Sequence, residues 1–257
     1  MRILIVGLAC IVARLCCAQT PIGSIDIKND TVTVTMRPPT SGRAVRPVTR
    51  APYSADQITE QLQTLADGTH ITQGRRTVHL YRDSQGRTRT ERPLAMRQQT
   101  ENWTPITEVR DPMVGFTYIL DDQNKIAHRF ALAVVPRKAS PCLSPTPGDA
   151  SRPQCSSEKL ATQNMEGLIV EGTRETRIWP IGSQGNDRSI TDTIETWIST
   201  ELHEMVLSRF ANPRDGETLI RLTNVSRAEP DQSLFQLPAD YIVVDEKDLF
   251  TITLKRQ

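Results

Sequence analysis

The chain has 257 residues, with 31 Lys and Arg against 30 Asp and Glu and a formal net charge of +1. So even a balance argues against nucleic acid as the main partner, because domains that hold phosphate backbones carry a clear basic excess. The length suits one large β domain or two small ones.

The first 18 residues, MRILIVGLACIVARLCCA, read as a secretory signal peptide: a basic start at Arg2, an apolar run from Ile3 to Val12, and Cys16 and Ala18 at the small-residue positions of a cleavage site. Arg14 interrupts the run, and a spanning helix needs ~20 apolar residues without such a break. Neither GLAC nor ARLCC has the residue order of a lipid-anchored start. The expectation is a periplasmic or secreted protein with no transmembrane segment after signal cleavage. Cys142 and Cys155 are the cysteines that survive cleavage, and both lie in the Pro-rich stretch KASPCLSPTPGDASRPQCSSE. In an exported chain they most simply form one disulfide, which would contribute ~3 kcal/mol on the chain-entropy view. Two free thiols in a loop are the alternative.

Residues 19–52 are rich in Thr, Pro and Arg. TVTVTM (Thr31 to Met36) alternates like a strand, but the stretch after it has the composition of an extended linker, so the globular part is expected to start near Tyr53. From there strand-like runs alternate with tight-turn signals at Asp67-Gly68, Gly86, Asn124 and Asp215-Gly216. Asp-Gly and Asn-containing turns supply the positive φ that hairpins require. SADQITEQLQTLA fits a helix or a strand, and strand is preferred because Asp67-Gly68 then closes a hairpin onto Ile71. Val78 and Leu80 oppose Thr77, His79 and Tyr81, and Ile220 and Leu222 oppose Leu219, Arg221 and Thr223, as in half-buried strands. The arginines of YRDSQGRTRTER read as the solvated side of a hairpin. Gly172, inside the long run GLIVEGTRETRIW, signals a bulge or bend. EPDQSLFQLP suggests one helical turn. Residues 136–160 carry five prolines and read as a surface excursion, since proline removes ladder donors. The fold expected is mainly β: an antiparallel meander forming a strongly curved sheet or unclosed β-barrel, with few short helices, in a single domain over residues 53–257.

Motifs for chemistry are weak. HEMVL, from His203, lacks the second histidine of a helical zinc motif, because that position is Leu207. Ser183 in IGSQG lacks the spacing of a nucleophile elbow. Asp121-Asp122 sits in a turn signal, where a turn role outweighs acid–base work. No cofactor or metal is expected, and no catalytic residue is assigned.

The closing block, ETWISTELHEMVLSRFANPRDGETLIRLTNVSRAEPDQSLFQLPADYIVV, is the most distinctive part. Trp197, the Asp215-Gly216 turn, Leu222-Thr223-Asn224, and Asp231, Leu234, Phe235 and Pro238 occur in an order that resembles LolA/LolB-like outer-membrane lipoprotein-sorting proteins and the related N-terminal domain of MucB/RseB regulators. That resemblance implies an unclosed β-barrel holding acyl chains or another apolar ligand. The function expected is a non-catalytic exported envelope protein whose concave β face binds lipid, lipoprotein or another envelope protein. Candidate lining residues are Phe116, Tyr118, Ile169, Trp197 and Leu222. The alternatives are a structural or scaffold module of the envelope, or a hydrolase with a dispersed site.

Overall fold

The computed structural model describes residues 22–28, 30–37, 47–65, 67–94, 103–132 and 152–256. Their strands are β1 (Ile22–Lys28), β2 (Thr31–Met36), β3 (Tyr53–Thr64), β4 (His70–Arg82), β5 (Thr88–Arg92), β6 (Ile106–Asp111), β7 (Phe116–Asp121), β8 (Ile126–Ala131), β9 (Gln154–Met165), β10 (Leu168–Trp179), β11 (Ile190–Ser199), β12 (Met205–Asn212), β13 (Gly216–Ser226), β14 (Ile242–Asp245) and β15 (Phe250–Lys255). Hydrogen bonds order them as an open 12-stranded ladder, β14-β8-β7-β6-β5-β4-β3-β13-β12-β11-β10-β9, and a 3-stranded sheet, β1-β2-β15. β14 runs parallel to β8, whereas consecutive strands such as β6–β7 and β10–β11 pair antiparallel. The fold is therefore the antiparallel, unclosed β architecture that the alternation predicts. Each expected turn closes a hairpin, and the ambiguous SADQITEQLQT segment is strand β3. The expected helical turn is a 3-10 turn over Gln232–Phe235, capped by the Asp231 side chain on Ser233 N.

The chain packs as two compact units where the sequence suggested one. The first comprises residues 1–56, 76–136 and 224–257, and the second residues 57–75 and 137–223. In the first unit, both faces of the β5–β8 meander are covered. Leu94, Ile106, Ile119 and Phe130 form one apolar cluster with Val32, Val34 and Met36 of β2 and with Phe250, Ile252 and Leu254 of β15. On the opposite face, Val109, Leu120 and Ala127 pack against Tyr118, Leu237 and Tyr241.

Two expectations change here. Val32, Val34 and Met36 are fully buried, so residues 22–36 are folded strand and not extended linker. Residues 47–52 are also packed: Arg50 N donates to the Ser84 carbonyl at 2.8 Å, and Arg82 Nε donates to the Ala51 carbonyl at 2.9 Å. The arginine-rich hairpin is likewise not a solvated surface. Arg82 is buried with its guanidinium over the Tyr53 ring at 4.7 Å. Arg92 is buried too, and desolvation pulls its guanidinium down to about 10. Buried Asp83 accepts from Arg87 N at 2.8 Å and Arg87 Nε at 2.6 Å, while Arg87 lies over Phe235. Arg82 and Arg87 hold this hairpin because each has an aromatic ring and a carbonyl or carboxylate beside it.

The second unit is the β9–β13 meander with the hairpin residues 57–75. Leu168, Val170 and Gly172 alternate as buried positions on β10, but β9 is exposed along almost its whole length. The expected surface excursion at 136–160 is thus shorter, since Gln154–Leu160 belong to β9; residues 133–151 lie outside the described residues. Cys155 is on β9, and its expected partner Cys142 lies outside the described residues, as does the signal segment 1–18. No helix among the described residues is long and apolar enough to cross a membrane.

Asp121 joins two elements of the first unit. It is buried, and its carboxylate accepts from Asn124 N at 3.1 Å, from Asn124 Nδ2 at 2.8 Å and from Thr253 N of β15 at 3.0 Å. Removing it takes away three bonds to a buried carboxylate and leaves the part-buried Thr253 N–H without its acceptor, which costs about 1–3 kcal/mol. Asp121→Ala is expected to lower chemical-denaturation stability by that amount. Asp240→Ala, which removes only the exposed pairing with Lys125, is expected to change it by less than about 1 kcal/mol.

Candidate functional site

In the second unit, Met165 and Glu166 at the β9–β10 turn, Val206 and Leu207 of β12, and Arg221 and Leu222 of β13 line an open groove of about 320 Å³. The volume is at the lower end of the ~300–1,000 Å³ typical of ligand sites. Its wall is apolar except at two points, Glu166 and Arg221.

Cross-strand register explains this arrangement. Trp197 is paired with Gly172 on one side and Leu207 on the other, and Leu207 is paired with Arg221. Directly paired residues share a sheet face. Trp197, Leu207 and Arg221 therefore form one row across β11–β13. Gly172 is required at its place for a steric reason: a Cβ there would lie 2.6 Å from the Trp197 ring. The expected bulge is present as a register shift between Val170 and Gly172 against β9.

The next row along the same face is charged. Arg174 contacts Glu158 at 2.8 Å and Glu195 at 3.0 Å, and Arg209 contacts Glu217 at 2.6 Å. Trp197 Nε1 donates to Glu195 Oε1 at 2.7 Å, which fixes the indole between apolar groove and charged row. Burial alone would raise the Glu195 carboxyl, but the bonds from Trp197 and Arg174 outweigh it and hold the group below its usual 4.5. This stabilisation is present above that pH and is lost as pH falls through the depressed value.

Near Arg221 sits a second ionic cluster. Arg221 Nη2 is 3.8 Å from Glu60 Oε2, and Arg75 Nε is 3.6 Å from Glu60 Oε1. Two guanidiniums share one carboxylate, both at long range.

The candidate lining residues do not converge. Trp197 and Leu222 are buried in the second unit but project from opposite faces, because Leu222 follows Arg221 and successive strand residues alternate. Leu222 lines the groove, while Trp197 lies one strand away beside Leu207. Ile169 is 52% exposed, on the face opposite Val170 and Gly172. Phe116 and Tyr118 belong to the first unit, with ring centroids 6.3 Å apart; Arg129 covers Phe116, and Tyr118 packs on the Val109 cluster. Sequence reasoning missed Met165, Val206, Leu207 and Arg221. Only the apolar pattern of MVL at 205–207 hinted at any of them.

The weaker motifs take structural roles. Ser183 Oγ donates to the Pro180 carbonyl at 2.8 Å. Asp122 accepts from the Tyr241 hydroxyl, and His203 occupies the exposed turn before β12 with φ 51°. Among the described residues no group of three or more His, Cys, Asp or Glu could hold a metal ion.

No family model and no curated protein matches the chain. Among solved structures it is similar to an uncharacterized conserved protein from Thermus thermophilus, at 9% identity and a TM-score of 0.40, covering 76% of this chain and 91% of that one. It is also similar to MucB, at 14% identity and a TM-score of 0.37, covering 76% of this chain and 60% of that one. A third is an outer membrane lipoprotein-sorting protein domain from Vibrio parahaemolyticus, at 8% identity and a TM-score of 0.26, covering 72% of this chain and 89% of that one. The last two are of the kinds that the closing block of the sequence resembles.

A double-mutant cycle tests the indole contact. Gly172→Ala is expected to cost about 1–3 kcal/mol by overpacking against the ring. In a Trp197→Leu background the same change is expected to cost less than about 0.5 kcal/mol. Equal costs in both backgrounds, read from denaturation midpoints, would show that the ring does not set the requirement for glycine.

Proposed function

We propose that this is a non-catalytic, exported envelope protein that binds an apolar ligand, such as a lipid or lipoprotein acyl chain, in the β12–β13 groove. The observation that carries the reading is the groove itself: half-buried Met165 and Leu207, with Val206 and Leu222 buried beside them, form apolar wall between Glu166 and Arg221. Apolar walls with few placed polar groups are what small-molecule sites require. Leu222 of the candidate set is retained in this site. This reading gives Trp197 a supporting role behind Leu207 and assigns no ligand contact to Phe116, Tyr118 or Ile169.

The test is uptake of the neutral polarity-sensitive dye N-phenyl-1-naphthylamine and its displacement by long-chain lipids. The wild-type chain is expected to bind dye saturably, and Leu207→Asp to weaken binding about tenfold or more with an unchanged melting temperature. Dye binding unaffected by Leu207→Asp would contradict the site. A chain that takes up no dye would favour the scaffold reading, for which the exposed length of β9 is the supporting observation, because an open strand edge offers pairing to another chain. Export also favours a Cys142–Cys155 disulfide. Non-reducing peptide mapping is expected to recover the two cysteines linked, and recovery of both thiols alkylated would contradict it.

A further inference from the structure

The last strand of the second unit carries a charge pattern that selects what can pair with it. We propose that β9 receives an extended segment of another protein as a further antiparallel strand, one in which an acidic residue is followed directly by a basic one. This goes beyond the groove and holds with or without a ligand there.

Among the described residues β9 ends the 12-stranded ladder, and its side chains are exposed at nearly every position. From Gln154 to Leu160 it pairs with β10 in unbroken antiparallel register, bounded by Pro153 on one side and by the irregularity at Val170/Gly172 on the other. That is the length of an ordinary strand. The outward backbone groups of such an edge are the template to which a strand adds.

Side-chain charge sets the register. On the face that holds Trp197 the sign alternates strand by strand, with Glu158 on β9, Arg174 on β10, Glu195 on β11 and Arg209 on β12. Arg174 lies 2.8 Å from Glu158 and 3.0 Å from Glu195, and Glu217 of β13 lies 2.6 Å from Arg209. Three carboxylates thus share two guanidiniums. Glu158 stands at the open end of this row with its side chain 59% exposed, so a cation opposite it on an incoming strand continues the alternation. The other face asks for the opposite sign. There exposed Lys159 shares its row with Thr173 and Thr196, which are uncharged, and it is matched by an acid. In an antiparallel strand the residue facing Lys159 precedes the one facing Glu158, which gives the order acid, then base.

A second copy of this chain does not meet that requirement. Pairing about a two-fold axis keeps each residue on its own face, so Glu158 would face only Gln154, Ser156, Glu158 or Leu160 of the copy, and never Lys159. None of those four is basic. Registers centred on Glu158 or Lys159 bring like charges together, so the pattern that admits a complementary strand rejects self-pairing.

Fluorescence anisotropy of a labelled heptapeptide, Val-Glu-Lys-Thr-Thr-Val-Thr, titrated with the full chain, tests this against the swapped peptide Val-Lys-Glu-Thr-Thr-Val-Thr. The Glu-Lys peptide is expected to bind saturably and about fivefold more tightly than the swapped one, as two cross-strand ion pairs would give. A chain carrying both Glu158→Lys and Lys159→Glu is expected to reverse the preference at an unchanged melting temperature. Glu158→Gln, a milder change, is expected to narrow it to about twofold. No saturable binding of either peptide, equal affinities for the two, or a doubly substituted chain that keeps the original preference would overturn the proposal. So would a dimer, seen by sedimentation, that the Glu-Lys peptide dissociates, because it would assign the edge to a second copy.

Discussion

Trp197 can lie against β10 only because residue 172 has no Cβ: the nearest ring carbons are 2.6–2.8 Å from where one would be. The indole is then tethered at its other end by Nε1 to Glu195, which Arg174 holds in turn. Those contacts fix β11 against β10 and, through the pairing of Trp197 with Leu207 and Leu207 with Arg221, fix which residues face the groove. A bulge at Val170/Gly172 supplies the local irregularity that lets the backbone accept the ring. The placement of Leu207 and Arg221 on the Trp197 face follows from that pairing.

The two units solve the problem of covering strand faces by different means. The first covers both faces of the β5–β8 meander with apolar clusters, one of them built from the chain's early strand β2 and its last strand β15. It also buries charge, with Arg82, Asp83 and Arg92 inside the hairpin that joins β4 to β5. The second unit leaves β9 exposed and places ion pairs across its strands at Glu158–Arg174–Glu195 and Arg209–Glu217. Charge laid along a strand face keeps it wet and discourages unwanted pairing. The groove lies where that charged row ends and the Trp197 row begins.

Much of the fold was legible because its signals are local. Asp67-Gly68, Gly86, Asn124 and Asp215-Gly216 specify turns through backbone geometry, and the alternation around Val78, Leu80, Ile220 and Leu222 specifies faces. Gly216 shows a further constraint that no local pattern states, since a Cβ there would lie 2.3 Å from the Leu62 carbonyl. The strands at 22–36 were hidden by the linker-like composition that follows them, and their burial depends on β15, more than two hundred residues later. The arginines near Gly86 misled for a related reason: whether a guanidinium is buried depends on Tyr53, Ala51 and Phe235, which come from other segments. The groove was the least legible part. Its residues come from a turn and two strands, and one step of register decides whether Leu207 or Leu222 shares a face with Trp197.

The central claim is that half-buried Met165 and Leu207, with Leu222 buried beside them, form a ligand surface and not simply core. Methyl NMR of selectively labelled Met and Leu residues, recorded with and without decanoate, addresses it most directly. Saturable shifts confined to Met165, Leu207 and Leu222, with Met113 and Leu254 of the first unit unmoved, are the result this account predicts. Shifts spread evenly over both units, or confined to the Phe116–Tyr118 region, would contradict it.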